Sequence, residues 1–173
     1  MVTRFTVSES FVVLGVVVLV LVGIGVGRLR GSGDGPVAVD DAIIDLLAAD
    51  PVFAALAAPT MERLGRTVER QRSAAGVAVV VQGHDGDHYY VIVDGEFAVT
   101  KDGHVVNRLG PGQSFGEIAL LRDVPRTSTV TAVTAAELLV IDRDAFLEAV
   151  TGHPRSLTTA RSIAADHVGP VED

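Results

Sequence analysis

Residues 115–130 of the chain read FGEIALLRDVPRTSTV, and this stretch decides the fold. Its first half is an Ala/Leu-rich run directly after a glycine, which predicts a short turn of helix. The first backbone N–H groups of a helix have no intrahelical partner and therefore bind phosphate well. After a brief loop, Arg126 adds a planar cation whose fork fits phosphate oxygens bidentately. The stretch therefore predicts a phosphate site.

Glu117 is the residue that a phosphate site alone does not explain, because a carboxylate repels a phosphate. Its presence makes sense if it accepts a hydrogen bond from a neighbouring hydroxyl, such as a ribose 2′-hydroxyl. One acid for a sugar, with one base and free amides for a phosphate, describes a compact sugar-phosphate site. The competing interpretation is a helical turn that carries an incidental surface Arg–Glu pair.

The same stretch resembles the phosphate-binding cassette of the cyclic nucleotide-binding domain family. The family pattern is Phe-Gly-Glu-aliphatic-Ala-Leu, a short spacer, and Pro-Arg followed by Ala, Ser or Thr, and residues 115–128 meet it throughout. The resemblance reaches from about residue 46 to residue 154. It implies that Glu117 binds the ribose hydroxyl and that Arg126 binds the cyclic phosphate. The predicted ligand-binding residues are Phe115, Gly116, Glu117, Ile118, Ala119, Arg126, Thr127 and Ser128.

The resemblance implies a cyclic nucleotide, cAMP or cGMP, as ligand and no further cofactor. Thr127 follows the cassette arginine, where the family associates Thr with cGMP and Ala with many cAMP sites. Bacterial members with Thr at this position nevertheless commonly respond to cAMP. We therefore expect cAMP as the working ligand, with weak discrimination against cGMP.

The rest of the domain is predicted to be mainly β with flanking helices. Two Asp-Gly pairs, Asp94-Gly95 and Asp102-Gly103, lie between β-rich runs and predict tight hairpins. Short antiparallel strands around a glycine-rich site are typical of a small β-barrel or jelly roll. Strands are expected at residues 77–81, 89–93, 96–101, 104–109, 129–132 and 137–141, and helices at 41–49, 59–64, 142–150 and 156–168. The resemblance implies that the last helix is a lid over the base, here short and without an aromatic residue for stacking.

Residues 11–27 contain no charged side chain, and they account for the high hydrophobic fraction of 48%. As a helix they would be roughly 25 Å long, at the short end for a membrane span. A membrane anchor is favoured over a signal peptide, because the run ends in Val-Gly-Arg-Leu-Arg and offers no small-residue cleavage site. A buried core helix is disfavoured, because the domain that follows is complete without it.

The predicted organisation has four parts: a transmembrane segment with a basic flank at residues 1–30, a flexible linker at 31–38, the cyclic nucleotide-binding domain at 39–153, and a short lid helix and tail at 154–173. Since cyclic nucleotides are made and read in the cytoplasm, we expect the binding domain on that side of the membrane. The sequence is also similar to the tail of bacterial major-facilitator-type transporters that carry such a domain. A transporter or another membrane protein is therefore the expected partner.

Several other function classes are disfavoured. Twenty-one of the 22 acidic residues but only 11 of the 14 basic ones follow Arg30, so this part carries about −10 and opposes nucleic-acid binding. The run 84–88, His-Asp-Gly-Asp-His, offers metal-ligand types, but it falls in a predicted turn, and no third histidine sits at a matching place beyond the isolated His104. No nucleophile-base pair is visible. We expect a regulatory module that is not an enzyme, or else a degenerate barrel that acts as a ligand-free scaffold.

Overall fold

The computed structural model describes residues 40–166. The predicted transmembrane segment at residues 11–27 and the predicted linker at 31–38 lie outside the described residues, as does the tail beyond residue 166. Within residues 40–166, no helix is both long and apolar enough to cross a membrane. The chain divides into the units Met1–Pro36 and Val37–Asp173, and every described residue belongs to the second.

The described residues form a jelly roll of two four-stranded sheets, in which neighbouring strands run antiparallel. The strand order is β1-β8-β3-β6 in the first sheet and β2-β7-β4-β5 in the second. The strands are β1 Glu69–Ser73, β2 Ala78–Val80, β3 His88–Asp94, β4 Phe97–Lys101, β5 His104–Leu109, β6 Ser114–Phe115, β7 Thr129–Ala132 and β8 Ala136–Asp142. The predicted mainly β fold with flanking helices is confirmed.

Two helices precede the strands, two follow them, and a short fifth helix lies between β6 and β7. They are α1 Asp41–Ala49, α2 Ala58–Thr67, α3 Glu117–Arg122, α4 Arg143–Thr151 and α5 Pro154–Asp166. Asp40 caps α1 by accepting from the Ala42 N–H, and Asp142 caps α4 by accepting from the Ala145 N–H. Such caps satisfy N–H groups that the helix itself leaves without a partner.

Strand β3 separates two hydrophobic cores. Side chains alternate along a strand, so Tyr89 and Val91 face the helices while Tyr90 and Ile92 face the second sheet. The helix-side core also contains Leu47, Phe53, Leu139, Ile141, Phe146 and Val150. The core between the sheets contains Phe97, Leu109, Phe115, Val130 and Leu138. Because both faces of β3 are buried, the strand reads as a continuous apolar run.

Several features of the fold, among them the unexpected strand β6, differ from the sequence-based expectation. Strand β1 was missed, because Glu69–Ser73 is an exposed edge strand whose charged residues hide the usual alternation. Helix α2 begins at Ala58 and continues to Thr67, well past the expected end at residue 64. Helix α5 begins at Pro154, which fits the first turn because proline there loses no intrahelical hydrogen bond.

Of the two predicted hairpins, the one at Asp102-Gly103 is confirmed, whereas Asp94-Gly95 connects β3 to β4, which lie in different sheets and do not pair. Asp102 and Gly103 have φ of +52° and +82°, and they join β4 to β5. Positive φ at both central positions is what a two-residue turn of this hand requires, and Asp-Gly supplies it at low cost. The hairpin places β4 and β5 side by side as one wall of the site described next.

Candidate functional site

A cavity of about 400 Å³ lies between the cassette and the second sheet. This volume falls within the range of small-molecule sites in proteins. All eight predicted ligand-binding residues line it: Phe115, Gly116, Glu117, Ile118, Ala119, Arg126, Thr127 and Ser128. The strands and the last helix contribute Val80, Val99, Lys101, Val106, Asn107, Leu109, Val130 and Asp166. The structure therefore brings the predicted residues together around one space, and their contacts with a ligand stay a prediction.

Arg126 is the buried cation of this cavity, with only 6% of its surface exposed. Its Nη1 donates to the Gly116 carbonyl at 3.0 Å and its Nη2 donates to the His88 carbonyl at 2.7 Å. The guanidinium carbon also lies 5.8 Å from the centre of the Tyr90 ring. The two carbonyls and the Tyr90 ring hold the guanidinium in place, and Arg126 is at the same time part of the cavity lining. Its fixed orientation suits an anion that approaches from the cavity.

The loop before β3 positions Arg126 through its backbone. The Arg126 N–H donates to the His84 carbonyl at 2.8 Å, and the Arg126 carbonyl accepts from the Gly83 N–H at 2.8 Å. The run 84–88 was interpreted as a solvated turn, and the structure corrects this in part. His84 is exposed, but His88 is half-buried and begins β3. The backbone of this run forms part of the support for Arg126.

Gly116 allows the cassette backbone to approach Arg126 closely. Its φ of +106° is in the left-handed region that favours glycine, and it directly precedes helix α3. A Cβ at this position would lie 2.8 Å from Arg126 Nη1 and 2.8 Å from the His88 carbonyl oxygen. The Phe-Gly-Glu sequence therefore meets both a backbone and a steric requirement of the site.

Burial and three neighbouring groups shift the pKa of Arg126 in opposite directions. Burial lowers the pKa of the Arg126 guanidinium, and the nearby Tyr90, Asp87 and Glu117 groups raise it without offsetting the burial. A buried cation costs free energy unless it is paired. An anion in the cavity would pair with the buried guanidinium, so the burial and position of Arg126 favour an anionic ligand.

Glu117 is the first residue of α3, and only 3% of its surface is exposed. A negative charge at the start of a helix is favourable, because the first N–H groups carry partial positive charge. Glu117 lines the same cavity as Arg126, and its charge favours the charged form of that arginine. The cavity thus combines one buried acid and one buried base, the pair that the sequence predicted for a sugar and a phosphate.

Three polar residues of the cavity were missed by the sequence analysis: Lys101 at the end of β4, Asn107 in β5 and Asp166 at the end of α5. No motif marks them, because strand register and helix placement bring them to the cavity. Asn107 lies opposite Val99 across the β4–β5 ladder, and Val99 lies opposite Val130 in β7. A register prediction for the second sheet could have found Asn107, whereas nothing in the sequence indicated Asp166.

A metal centre is not evident in the part of the chain that the structure describes. Within residues 40–166, no group of three or more His, Asp or Glu side chains could hold a metal ion. The two histidines of the run 84–88 lie in a loop and at the start of a strand.

The jelly roll, the helical cassette and the buried Glu117 and Arg126 together resemble a cyclic nucleotide-binding domain. The family model described as "Cyclic nucleotide-binding domain" matches residues 70–153. The match confirms the predicted domain over those residues, including the whole cassette, and makes a cyclic nucleotide the ligand class. The similarity to transporter tails stays a prediction.

Relatives of known description share this domain. A "cAMP-dependent protein kinase regulatory subunit" of Yarrowia lipolytica is 38% identical over 81 residues, which are 47% of this chain and 22% of that protein. The regulatory domain of Toxoplasma gondii PKA, solved with cAMP, is 32% identical with a TM-score of 0.62, covering 64% of this chain and 44% of that one.

A third relative shares the fold alone. The regulatory subunit of a cAMP-independent protein kinase A from Trypanosoma brucei is 18% identical, with a TM-score of 0.66 over 72% of this chain and 45% of that one. The chain thus spans less than half the length of each of these three relatives.

Proposed function

We propose that this chain is a regulatory module that binds a cyclic nucleotide, cAMP in preference to cGMP, and catalyses no reaction itself. The observation that carries the proposal is Arg126, a buried cation that lines a cavity of about 400 Å³ together with Glu117. Arg126 would bind the cyclic phosphate and Glu117 the ribose 2′-hydroxyl. The descriptions of the Yarrowia and Toxoplasma relatives support cAMP and a regulatory role.

The rival function is a ligand-free scaffold. Arg126 already donates to two backbone carbonyls, so the arginine also has a structural role. The fold itself does not decide between the two functions, since the Trypanosoma protein with this fold is described as the regulatory subunit of a cAMP-independent kinase. The apolar strand wall and the presence of both Glu117 and Arg126 in one cavity favour binding, because a scaffold needs neither.

Calorimetric titration of the full chain with cAMP, cGMP and 5′-AMP tests the proposal. We expect saturable binding of cAMP and weaker binding of cGMP. Little or no binding of 5′-AMP is expected, because its phosphate carries an additional negative charge and is not closed into the cyclic phosphodiester. Heat and thermal shift should agree, because a ligand that binds only the folded state raises its melting temperature. The absence of both signals with cAMP and cGMP would favour the scaffold.

Thr127 is expected to tune the choice between the two nucleotides. Its hydroxyl is in the cavity lining next to Arg126 and could accept a hydrogen bond from the guanine amino group in the syn form. One such bond is worth about 0.5–1.5 kcal/mol, so Thr127→Ala should lower cGMP affinity roughly three- to tenfold and leave cAMP affinity nearly unchanged. Competition titrations measure both affinities. Equal losses for the two nucleotides would mean that Thr127 contacts only the phosphate.

We further propose that residues 11–27 tether the module to a membrane, with the binding domain in the cytoplasm and a transporter or other membrane protein as its partner. The support is the uncharged run itself and the need for cytoplasmic access to cyclic nucleotides. Fractionation of cells that express the full chain should place it in the membrane pellet, resistant to carbonate extraction. Protease that digests the domain in intact cells, or cleavage after residues 25–27 during expression, would contradict this topology.

A further inference from the structure

A buried hydrogen-bond network starts at the end of α1, behind the cavity. Asp50 directly follows α1 and is fully buried. Its Oδ1 accepts from the Val52 N–H at 2.8 Å, and its backbone carbonyl accepts from the Phe53 and Ala54 N–H groups at 3.0 and 2.9 Å. Asp50 therefore holds the turn that connects α1 to α2.

Tyr89 of β3 connects this carboxylate to the cassette. Its hydroxyl oxygen lies 3.0 Å from Asp50 Oδ2 and 2.6 Å from Ser114 Oγ. A carboxylate only accepts, so the phenol hydrogen is donated to Asp50 and the Ser114 hydroxyl donates to the phenol oxygen. Ser114 directly precedes Phe115, the first residue of the cassette. Two hydrogen bonds thus join the turn after α1 to the start of the ligand site.

The aromatic core fixes the position of the Tyr89 hydroxyl. The ring is stacked on Phe146 of α4 at 4.7 Å and meets Phe53 edge-on at 5.5 Å. Only 1% of Tyr89 is exposed, so its hydroxyl has no access to bulk water. The Tyr89 ring therefore connects the helical elements that contain Phe53 and Phe146 to the cassette. A shift of the cassette can displace these helical elements through this ring.

The charges of the network and of the ligand site influence each other. Burial raises the pKa of the Asp50 carboxyl; hydrogen bonds lower it, and the charge of Glu117 raises it. Burial also raises the pKa of Tyr89 well above its usual range, with further increases from the Asp50 and Glu117 charges. A buried carboxylate needs its donors, because an unsatisfied one is costly. Loss of either donor to the Asp50 carboxylate is therefore expected to cost free energy, which favours the intact network.

We propose that Tyr89 is a positioning residue of the ligand site: together with Asp50 and Ser114, its hydroxyl fixes the cassette against the turn after α1. Ligand binding at the cassette and the order of residues 50–54 are then coupled. The inference rests on the proposed function, since the coupling is defined by a cyclic nucleotide in the cavity. Without the hydroxyl, Asp50 loses one buried donor and the start of the cassette loses its anchor.

Tyr89→Phe in the full chain tests this, because the ring packing is retained and only the hydroxyl is removed. We expect cAMP affinity to fall about three- to tenfold by calorimetry, the effect of one lost hydrogen bond. Amide hydrogen exchange supplies the second readout. In the wild type, saturating cAMP should slow exchange at Val52, Phe53 and Ala54, and in the variant this response should disappear at saturating cAMP. A purely structural loss would speed exchange equally with and without cAMP.

Thr67→Val is the matched control. It removes a hydroxyl that donates to the Leu64 carbonyl at 2.8 Å in α2, outside the network, so affinity and the exchange response should stay at wild-type values. Ser114→Ala removes the other hydroxyl of the network, and we expect the same loss of cAMP affinity and of the exchange response. This second variant keeps the inference testable if Tyr89→Phe fails to fold. Wild-type affinity and response in both network variants would overturn the inference alone. If the wild type bound neither cAMP nor cGMP, both the inference about Tyr89 and the proposed function would be overturned.

Discussion

Replacing Arg126 with alanine is expected to weaken cAMP binding by roughly 10- to 100-fold, the largest loss from any single side chain of the site. A charge-assisted hydrogen bond contributes about 1.5–3 kcal/mol, and the guanidinium would supply the charge partner of the cyclic phosphate. The structure adds a second effect. The change also removes the donors of the Gly116 and His88 carbonyls, so the free energy of unfolding should fall by about 1–3 kcal/mol.

Two further variants separate these effects. Arg126→Lys keeps the positive charge but loses the planar fork, and it should bind cAMP better than Arg126→Ala and worse than the wild type. Arg72→Ala removes an exposed arginine of edge strand β1 and should leave both affinity and stability unchanged. Calorimetry gives the affinities and urea unfolding the stabilities. An Arg126→Ala protein that unfolds more easily yet keeps wild-type affinity would assign Arg126 a structural role only.

The cassette was predictable from the sequence because its chemistry is local. Gly116, Glu117 and Arg126 lie within eleven residues, and each is required by the backbone or by charge at its own position. Cap residues are equally local, which is why the expected starts of α1 and α4 at residues 41 and 142 lie at or next to the observed caps Asp40 and Asp142. The hairpin at Asp102-Gly103 follows the same logic, since two positive φ angles restrict the residues that fit.

The wall and the rear support of the site could not be predicted in the same way. Asn107 and Lys101 reach the cavity through the register of β4 and β5, and Asp50 meets Tyr89 across 39 residues of sequence. Asp50 reads in the sequence as a helix end before Pro51, and Tyr89 reads as one more aromatic of an apolar strand. Long-range packing alone turns them into a buried pair, and no periodicity signals it.

Gly86 shows how closely the loop before β3 fits against the site, and Gly86→Ala is expected to have the second-largest effect. A Cβ there would lie 2.7 Å from Ala119 Cβ, 2.8 Å from Arg126 Nε and 3.0 Å from Arg126 Cζ. Real Cβ atoms avoid such distances, so something must move. Ala119 is part of the short helix α3, and the guanidinium is held by two carbonyls, so neither neighbour yields freely.

Overpacking of this kind costs about 1–3 kcal/mol, and here the displaced group is the proposed phosphate partner. We therefore expect Gly86→Ala to weaken cAMP binding at least tenfold and to lower the melting temperature. Gly110→Ala is the control, because a Cβ at that position meets no atom within 4 Å and the substitution should change neither quantity. Melting curves recorded with and without cAMP measure both effects together. Lower stability with unchanged cAMP affinity in Gly86→Ala would contradict this prediction. It would mean that the loop adapts without moving Arg126, or that cAMP affinity does not depend on the orientation of the guanidinium.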